Sequence, residues 1–433
     1  MAHAHPSGDT QFSELGLAPA LLAVIDRLEF TVPTPIQTKA IPIAVTGKDI
    51  IGIAQTGTGK TLAFVLPLLQ QASRTKKRGL VILPTRELAL QVDETFRKVG
   101  HSFGLRTALV IGGDSMSRQR EALARNPHVI IGTPGRMIDH LQQGTLRLHG
   151  VGMLVLDEAD RMLDMGFAPQ ITRILQHVPK ERQTMLFSAT MPPAIVTIAA
   201  RHMKMPVRVE VARSGTVAER VEQEFFVVPK QQKNRLLDKL LSEYAGAVLV
   251  FSRTKHGAKK IARAVRSMGH SVAELHSNLS LPKRRKSLEG FKGGTYRVLV
   301  ATDIAARGID VTDIELVVNY DVPEDPEWYV HRVGRTGRAG KIGHAVSFVT
   351  PDQRGKLRDI ERLIRVSLSV SPLPELPPER VSMPQSSPFE HSRSQVSHQH
   401  PRPRSHDRRR HPPRFRSGGH DHSRRQKHIH QDG

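Results

Sequence analysis

Three short segments of the chain bring together residue types suited to phosphate chemistry. In Ala54-Gln55-Thr56-Gly57-Thr58-Gly59-Lys60-Thr61, glycines precede a lysine and a hydroxyl. Such glycines let backbone N–H groups approach phosphate oxygens, while Lys60 can reach the β- and γ-phosphates and Thr61 can offer its hydroxyl to Mg²⁺. Ala54 stands where the usual loop has glycine. The apolar run Met153-Leu154-Val155-Leu156 then delivers Asp157 and Glu158, one acid for Mg²⁺ and another to orient or deprotonate water. Much later, His331-Arg332-Val333-Gly334-Arg335-Thr336-Gly337-Arg338 repeats a Gly-Arg pattern. A phosphate loop with a metal-binding acid turns over slowly unless positive charge meets the leaving phosphate, and these arginines can supply it. Singly, the segments read as a glycine-rich turn, a solvated strand end and a basic surface loop. Together they describe one ATP and Mg²⁺ site whose halves lie far apart in sequence, so that closure completes it.

Elements must hold these groups. From about residue 20 to 205, short apolar runs (49–54, 79–83, 107–111, 128–131, 153–156 and 184–187) alternate with helical patterns. Runs of this length predict a mainly parallel sheet covered on both faces. Several end in polar or glycine-rich residues: Gln55, Pro84-Thr85-Arg86, Gly112-Gly113, Thr133-Pro134-Gly135-Arg136, Asp157 and Ser188. Ligands of open α/β sheets bind beyond the carboxyl ends of strands, so these endings should line one edge. Ala212-Arg213-Ser214-Gly215-Thr216 reads as a linker, and the alternation resumes at 247–251, 271–275, 297–301, 315–319 and 345–349. The expected organisation is a first α/β domain over 1–211, a linker over 212–218, a second α/β domain over 219–368 and a tail over 369–433. Pro372, Pro374, Pro377 and Pro378 open that tail, which turns rich in His, Arg, Ser, Pro and Gln. Such a composition predicts disorder.

Lys plus Arg minus Asp plus Glu is 64 − 41 = +23, with a pI near 10.7. That excess favours a polyanionic partner, most simply nucleic acid. An acidic membrane surface is the rival, but no apolar run approaches the ~18 residues that span a bilayer. The N-terminus lacks the basic-then-apolar pattern of a secretory signal, and without cysteine no redox compartment can be read. A soluble, cytoplasmic protein is the expectation.

In the order and spacing of these motifs the chain resembles the DEAD-box ATP-dependent RNA helicases, over roughly residues 10–368, and among them the compact bacterial RhlE-like group. The resemblance implies two tandem RecA-like (P-loop NTPase) domains with parallel sheets. It also implies an RNA-stimulated ATP hydrolase that opens duplexes locally. Phe30, Pro33-Thr34-Pro35-Ile36 and Gln37 resemble the adenine-reading Q motif. The Gln37 amide can both donate to and accept from the adenine edge, and Phe30 would stack on the base, with Phe12 as upstream support. Asp157 would bind Mg²⁺ largely through water, together with Thr61, and Glu158 would be the catalytic base. Ser188 and Thr190 would couple ATP state to RNA by bonding the acidic motif, with Asp160 and His331 in the same relay. Gly308 would approach the nucleotide and Asp310 its ribose, while Arg335 and Arg338 would be arginine fingers. RNA contacts would come from Pro84, Thr85, Arg86, Gly113, Thr133 and Arg136, then Arg253, Thr302 and Asp303. They suit phosphates and 2′-hydroxyls, so recognition would be sequence-tolerant. Two departures stand out. Glu29 occupies the place of a glycine before the Q-motif aromatic, and Leu281 replaces the glutamine usual after His276, although Arg284 matches.

The basic tail reads either as a flexible tether for RNA with strong salt dependence or as a solubilising extension; we adopt the tether. Its histidines show no spacing that defines a metal site. Two other functions would use the same motifs: a DNA-directed helicase, and an RNA annealing or clamping protein dominated by its tail. Single-stranded and duplex RNA are the expected partners, possible settings being ribosomal precursors or RNA-decay complexes.

Overall fold

The structure is a computed structural model that describes residues 10–55, 57–211, 221–306, 311, 314–337, 342–364 and 366–378. In the first lobe, α1 (Pro19–Arg27) and α2 (Pro35–Ala44) lead to β1 (Ile50–Ile53), α3 (Lys60–Thr75), β2 (Arg78–Ile82) and α4 (Arg86–Gly100). Then come β3 (Thr107–Val110), α5 (Met116–Ala124), β4 (Val129–Gly132), α6 (Pro134–Gln142) and β5 (Val151–Leu156). The lobe ends with α7 (Ala159–Asp164), α8 (Ala168–Gln176), β6 (Gln183–Ser188), α9 (Pro193–His202) and β7 (Val207–Glu210). The strands form a parallel sheet in the order β3-β4-β2-β5-β6-β1-β7.

The second lobe begins with β8 (Val221–Val227), α10 (Lys233–Glu243), β9 (Ala247–Phe251), α11 (Lys255–Ser267) and β10 (Val272–Leu275). It continues through α12 (Leu281–Lys292), β11 (Val298–Ala301), α13 (Asp303–Ala306), β12 (Ile314–Asn319) and α14 (Pro326–Val333). β13 (Gly343–Val349), α15 (Arg354–Ile364) and β14 (Val370–Ser371) complete it. Its parallel order, β10-β11-β9-β12-β13-β8-β14, repeats the permutation of the first lobe strand for strand. Both are RecA-like α/β sheets.

The central strands are legible in sequence because both faces are covered. β5 and β6 are buried along their whole lengths. On one face Phe64 packs between Phe96 and Phe187, at centroid distances of 6.4 and 5.6 Å. Ile82, Leu154 and Ile174 fill the other. Burying one such side chain is worth about 1.5–3 kcal/mol.

The strands absent from the sequence reading are β7, β8 and β14. β7 exposes Arg208 and Glu210, and β8 buries Val221, Phe225 and Phe226, exposes Glu222 and leaves the rest half-buried, with only the two residues of β14 beside it at the sheet margin. Sheet margins need no continuous apolar run. The chain also stays attached beyond residue 368: Val370 and Ser371 pair with Phe225 and Phe226, and Arg235 donates to the carbonyls of Leu376 at 3.0 Å and Pro377 at 2.6 Å. The expected tail boundary at 369 therefore falls inside the lobe, because two residues of strand pairing and an arginine clamp outweigh its proline content. The linker 212–218 and residues 379–433 lie outside the described residues.

Candidate active site

Gly57 and Gly59, at φ 88° and 90°, turn the chain into α3, which starts at Lys60. The loop is closed by Thr58 Oγ1 donating to the Gln55 carbonyl at 2.7 Å, and Lys60 Nζ donates to the Ala54 carbonyl at 2.9 Å. The first N–H groups of a helix lack intrahelical partners and favour an anion. Gln37 sits directly behind this loop. Its Oε1 accepts from the Thr34 N–H and its Nε2 donates to the Gly59 carbonyl, both at 2.9 Å. A Cβ on Gly59 would come within 2.5 Å of that Nε2. The amide keeps a further N–H and lone pair, so Gln37 can serve both the loop and an adenine edge.

Phe30 is 40% exposed, whereas Phe12 is buried in the core of the first lobe. Any support from Phe12 is therefore through packing of the core and not by contact with the base. Glu29 keeps the turn that glycine would favour. It has φ 59°, and its N–H bonds the Asp26 carbonyl while the Phe30 N–H bonds that of Ile25. This is the Schellman closure of α1 with a strained residue at its left-handed position. Thr56 lies outside the described residues.

β5 delivers Asp157 and Glu158 beside the loop, both 3% exposed. Burial pushes the Asp157 carboxyl up to about 6, against the pull of Lys60. Burial acts the same way on Glu158, but Arg161, then Lys60 and Arg335, outweigh it and hold that carboxyl below its usual range. Arg161 Nη1 meets Glu158 Oε2 at 2.6 Å, with the arginine only 1% exposed. Asp160 Oδ2 accepts from the N–H groups of Ala189 and Thr190 and from the Thr190 hydroxyl, at 2.9, 2.8 and 3.1 Å. Ser188 Oγ accepts from the Asp160 N–H at 3.2 Å. The hydroxyl motif and the acidic motif thus form one bonded unit. Among the described residues no cluster of three His, Asp or Glu could cage a metal. Asp157 and Thr61 fit Mg²⁺ that draws its other ligands from phosphate and water, as that ion commonly does.

From the second lobe, buried Arg335 comes close enough to lower the Glu158 carboxyl, and its Nε donates to the His331 carbonyl at 3.2 Å. Arg332 grips both oxygens of Asp303 at 2.6 and 2.7 Å and reaches Asn319 at 3.1 Å. Asp303, expected at the RNA, is therefore engaged in holding Arg332. Gly308, Asp310 and Arg338 lie outside the described residues.

Along the same edge, Pro84 and Thr85 are buried at the start of α4, where the Thr85 hydroxyl accepts from the Leu88 N–H at 3.3 Å. Thr133 is likewise buried before α6. The Arg86 guanidinium lies against Gly112 and Gly113, and a Cβ on Gly113 would come within 2.3 Å of it. Burial, then Arg284 and Arg136, depress the Arg86 pKa, as expected where cations crowd. Arg136 donates to the Asp114 carbonyl at 3.0 Å and to Gln119 Oε1 at 3.4 Å. Gln119 also donates to the Ile111 carbonyl at 2.8 Å and meets His140 Nε2 at 3.1 Å. Thr302 is buried after β11, while Arg253 is exposed and paired with Glu324 at 2.9 Å.

The two lobes meet where Arg284 Nη2 donates to Glu87 Oε2 at 2.8 Å and Leu281 packs against the core of the first lobe. The Leu281 position thus makes an apolar interlobe contact. Arg161, Arg332, Glu87 and Gln119 escaped the sequence reading as site residues. Arg161 and Arg332 adjoin quoted motifs, but nothing in one sequence distinguishes a buried arginine from an exposed one.

Residues 34–198 match the family model described as DEAD/DEAH box helicase, and 232–340 match the helicase conserved C-terminal domain. The chain is 48% identical over 356 residues to the DEAD-box ATP-dependent RNA helicase CshA of Geobacillus kaustophilus (strain HTA426), covering 82% of this chain and 76% of that protein. CshA of Bacillus subtilis (strain 168) is 44% identical over 354 residues, covering 81% and 72%. Among solved structures, Dbp5 of S. cerevisiae bound to RNA and ADP BeF3 superposes with a TM-score of 0.75 at 32% identity, covering 82% of this chain and 93% of that one.

Proposed function

Because the chain belongs to the DEAD-box ATP-dependent RNA helicases, we propose that RNA closes its two lobes around ATP, so that Arg335 completes a site begun by Lys60, Thr61, Asp157 and Glu158. The observation that carries this reading is that Arg335, on the second lobe, lines one cavity with Arg161, the ion-pair partner of Glu158 on the first, close enough for its charge to lower the buried Glu158 carboxyl. Lys60 and the N-terminus of α3 would bind the phosphates, Gln37 and Phe30 the adenine. Mg²⁺ held by Asp157 and Thr61 would supply charge neutralisation at the phosphates. Glu158, kept ionised and oriented by Arg161, would accept the proton of the attacking water. Arg335, with Arg338, would stabilise charge on the leaving phosphate, an effect worth ~10³-fold or more in rate. Thr56, Gly308 and Asp310 keep the nucleotide roles that the resemblance gives them.

The crowded cations Arg86 and Arg136, the glycine turn at Gly113 and the helix starts after Thr85 and Thr133 suit a phosphate backbone read without a base code. Asp303 would act there through Arg332, with Thr302 and Arg253 continuing the track. The relative of known structure bound RNA and a nucleotide analogue together, which supports the same pairing here. Within the family, the RhlE-like placement rests on motif resemblance alone, whereas the curated relatives compared are CshA proteins. Action on ribosomal precursors or in RNA decay, in the cytoplasm, suits a sequence-tolerant remodeller. Among the described residues no helix is long and apolar enough to cross a membrane.

ATP turnover measured with matched single strands of RNA and DNA tests the proposal. Stimulation by RNA alone is expected, and Glu158→Gln should abolish turnover and duplex opening together. Equal stimulation by DNA would favour the DNA-directed reading. Duplex remodelling that survives Glu158→Gln would favour a tail-driven clamp.

A further inference from the structure

Helix α11 has a solvent face of unusual charge. Its sequence, Lys-His-Gly-Ala-Lys-Lys-Ile-Ala-Arg-Ala-Val-Arg-Ser, contains no acid, and Ala258, Ile261, Ala262 and Val265 turn into the core of the second lobe. That leaves Lys255, Lys259, Lys260, Arg263 and Arg266 exposed on the opposite side. Among the described residues no carboxylate pairs with any of them, whereas nearby Arg253 and Arg285 are paired with Glu324 and Glu289. Cations at i,i+3 and i,i+4 repel and destabilise a helix, and a merely solvated face ordinarily mixes signs. The unrelieved repulsion is the mark of a surface that meets a polyanion.

The face is also placed to receive one. Lys255 Nζ donates to Asn278 Oδ1 at 3.1 Å, in the turn between β10 and α12. α12 carries Arg284, whose charge is felt by Arg86 on the RNA edge of the first lobe. We propose that the exposed face of α11 is a second RNA-binding surface, which takes the phosphate backbone of a duplex arm adjoining the single strand held between the lobes. This deepens the helicase reading and rests on it. The row from Lys255 to Arg266 is straight and about 16 Å long at 1.5 Å per residue. It carries no Phe, Tyr or Trp, the usual stacking platforms for single strands, and its single ring, His256, lies at the N-terminal end of the row. Rigid, purely cationic and regular, it suits a duplex backbone.

The test uses the full chain, with Lys259→Gln, Lys260→Gln and Arg263→Gln combined. Affinity for a short single strand, with and without a duplex arm, is measured across a salt series. The unsubstituted chain should bind the armed RNA more tightly. The triple variant should lose that gain, and its plot of log Kd against log salt should be shallower by about 2.7, at about 0.9 per lost phosphate contact. Binding of the bare strand, and the turnover it stimulates, should not change. An Arg263→Gln, Arg266→Gln variant gives an independent reading should the triple variant fold poorly. Armed-RNA affinity and salt slope equal to the parent would overturn the proposal. So would a defect confined to anionic lipid vesicles. Turnover of the parent chain that ignores every RNA would instead overturn the helicase reading, and this proposal with it.

Discussion

Asp157 shows how a residue proposed to serve the active site can oppose stability. Its carboxyl is pushed from 3.8 to about 6 by burial, so between those pH values the folded chain binds more protons than the unfolded one. Stability then falls as pH rises through that window. Above about pH 6 the buried charge is a standing cost, of order 3 kcal/mol at about 1.4 kcal/mol per pH unit. Removing it should therefore stabilise the ligand-free protein. We expect Asp157→Asn to melt a few degrees higher at pH 8, with the gain shrinking toward pH 4, while ATP turnover is lost. Thermal melts across pH check this, and a melting point at pH 8 that does not rise would refute it. Glu29 is the smaller counterpart, a side chain held at positive φ because α1 must end there.

At the scale of elements, Gln119 on α5 ties together segments that the sequence keeps apart. One amide bonds Ile111 at the end of β3, Arg136 on α6 and His140 further along α6. It thereby sets Gly113 and Arg136 relative to each other. Gln119→Leu should leave the His140 ring nitrogen without this partner and let Arg136 drift. An orphaned buried group costs about 1–3 kcal/mol, so the RNA concentration giving half-maximal turnover should rise by roughly fivefold or more. The KM for ATP should hold, because Gln119 touches no loop residue. If both constants move together, the amide is a general structural support and not a holder of the RNA edge.

For the whole molecule, the proposed mechanism makes catalysis depend on how the lobes meet. The Arg284–Glu87 pair and Leu281 join α12 to the first lobe away from the nucleotide loop. Removing one partner of a buried pair strands the other, a loss of about 3–5 kcal/mol to the joined arrangement. Arg284→Met should thus lower the closed population seen by distance measurements between labelled lobes, and should reduce RNA-stimulated turnover at least tenfold. Melting of the separate lobes should be little changed. Since binding linkage is reciprocal, ATP should then tighten RNA binding less than in the parent chain. Undiminished turnover would show that Arg335 reaches Glu158 without this contact.

The sequence by itself determined the local chemistry and the buried strands. Runs such as 153–156 and 184–187 must be apolar because both their faces are covered, and glycines at 57 and 59 are needed wherever backbone approaches phosphate. It did not determine β7, β8 or β14, whose half-exposed residues satisfy no single period, nor the repetition of one strand permutation in both lobes. Only the tertiary structure decided that Arg161 clamps Glu158, that Asp303 is spent on Arg332 and that Phe12 is core. Each of those outcomes depends on which side chains burial brings within bonding distance, and chain spacing carries no record of that.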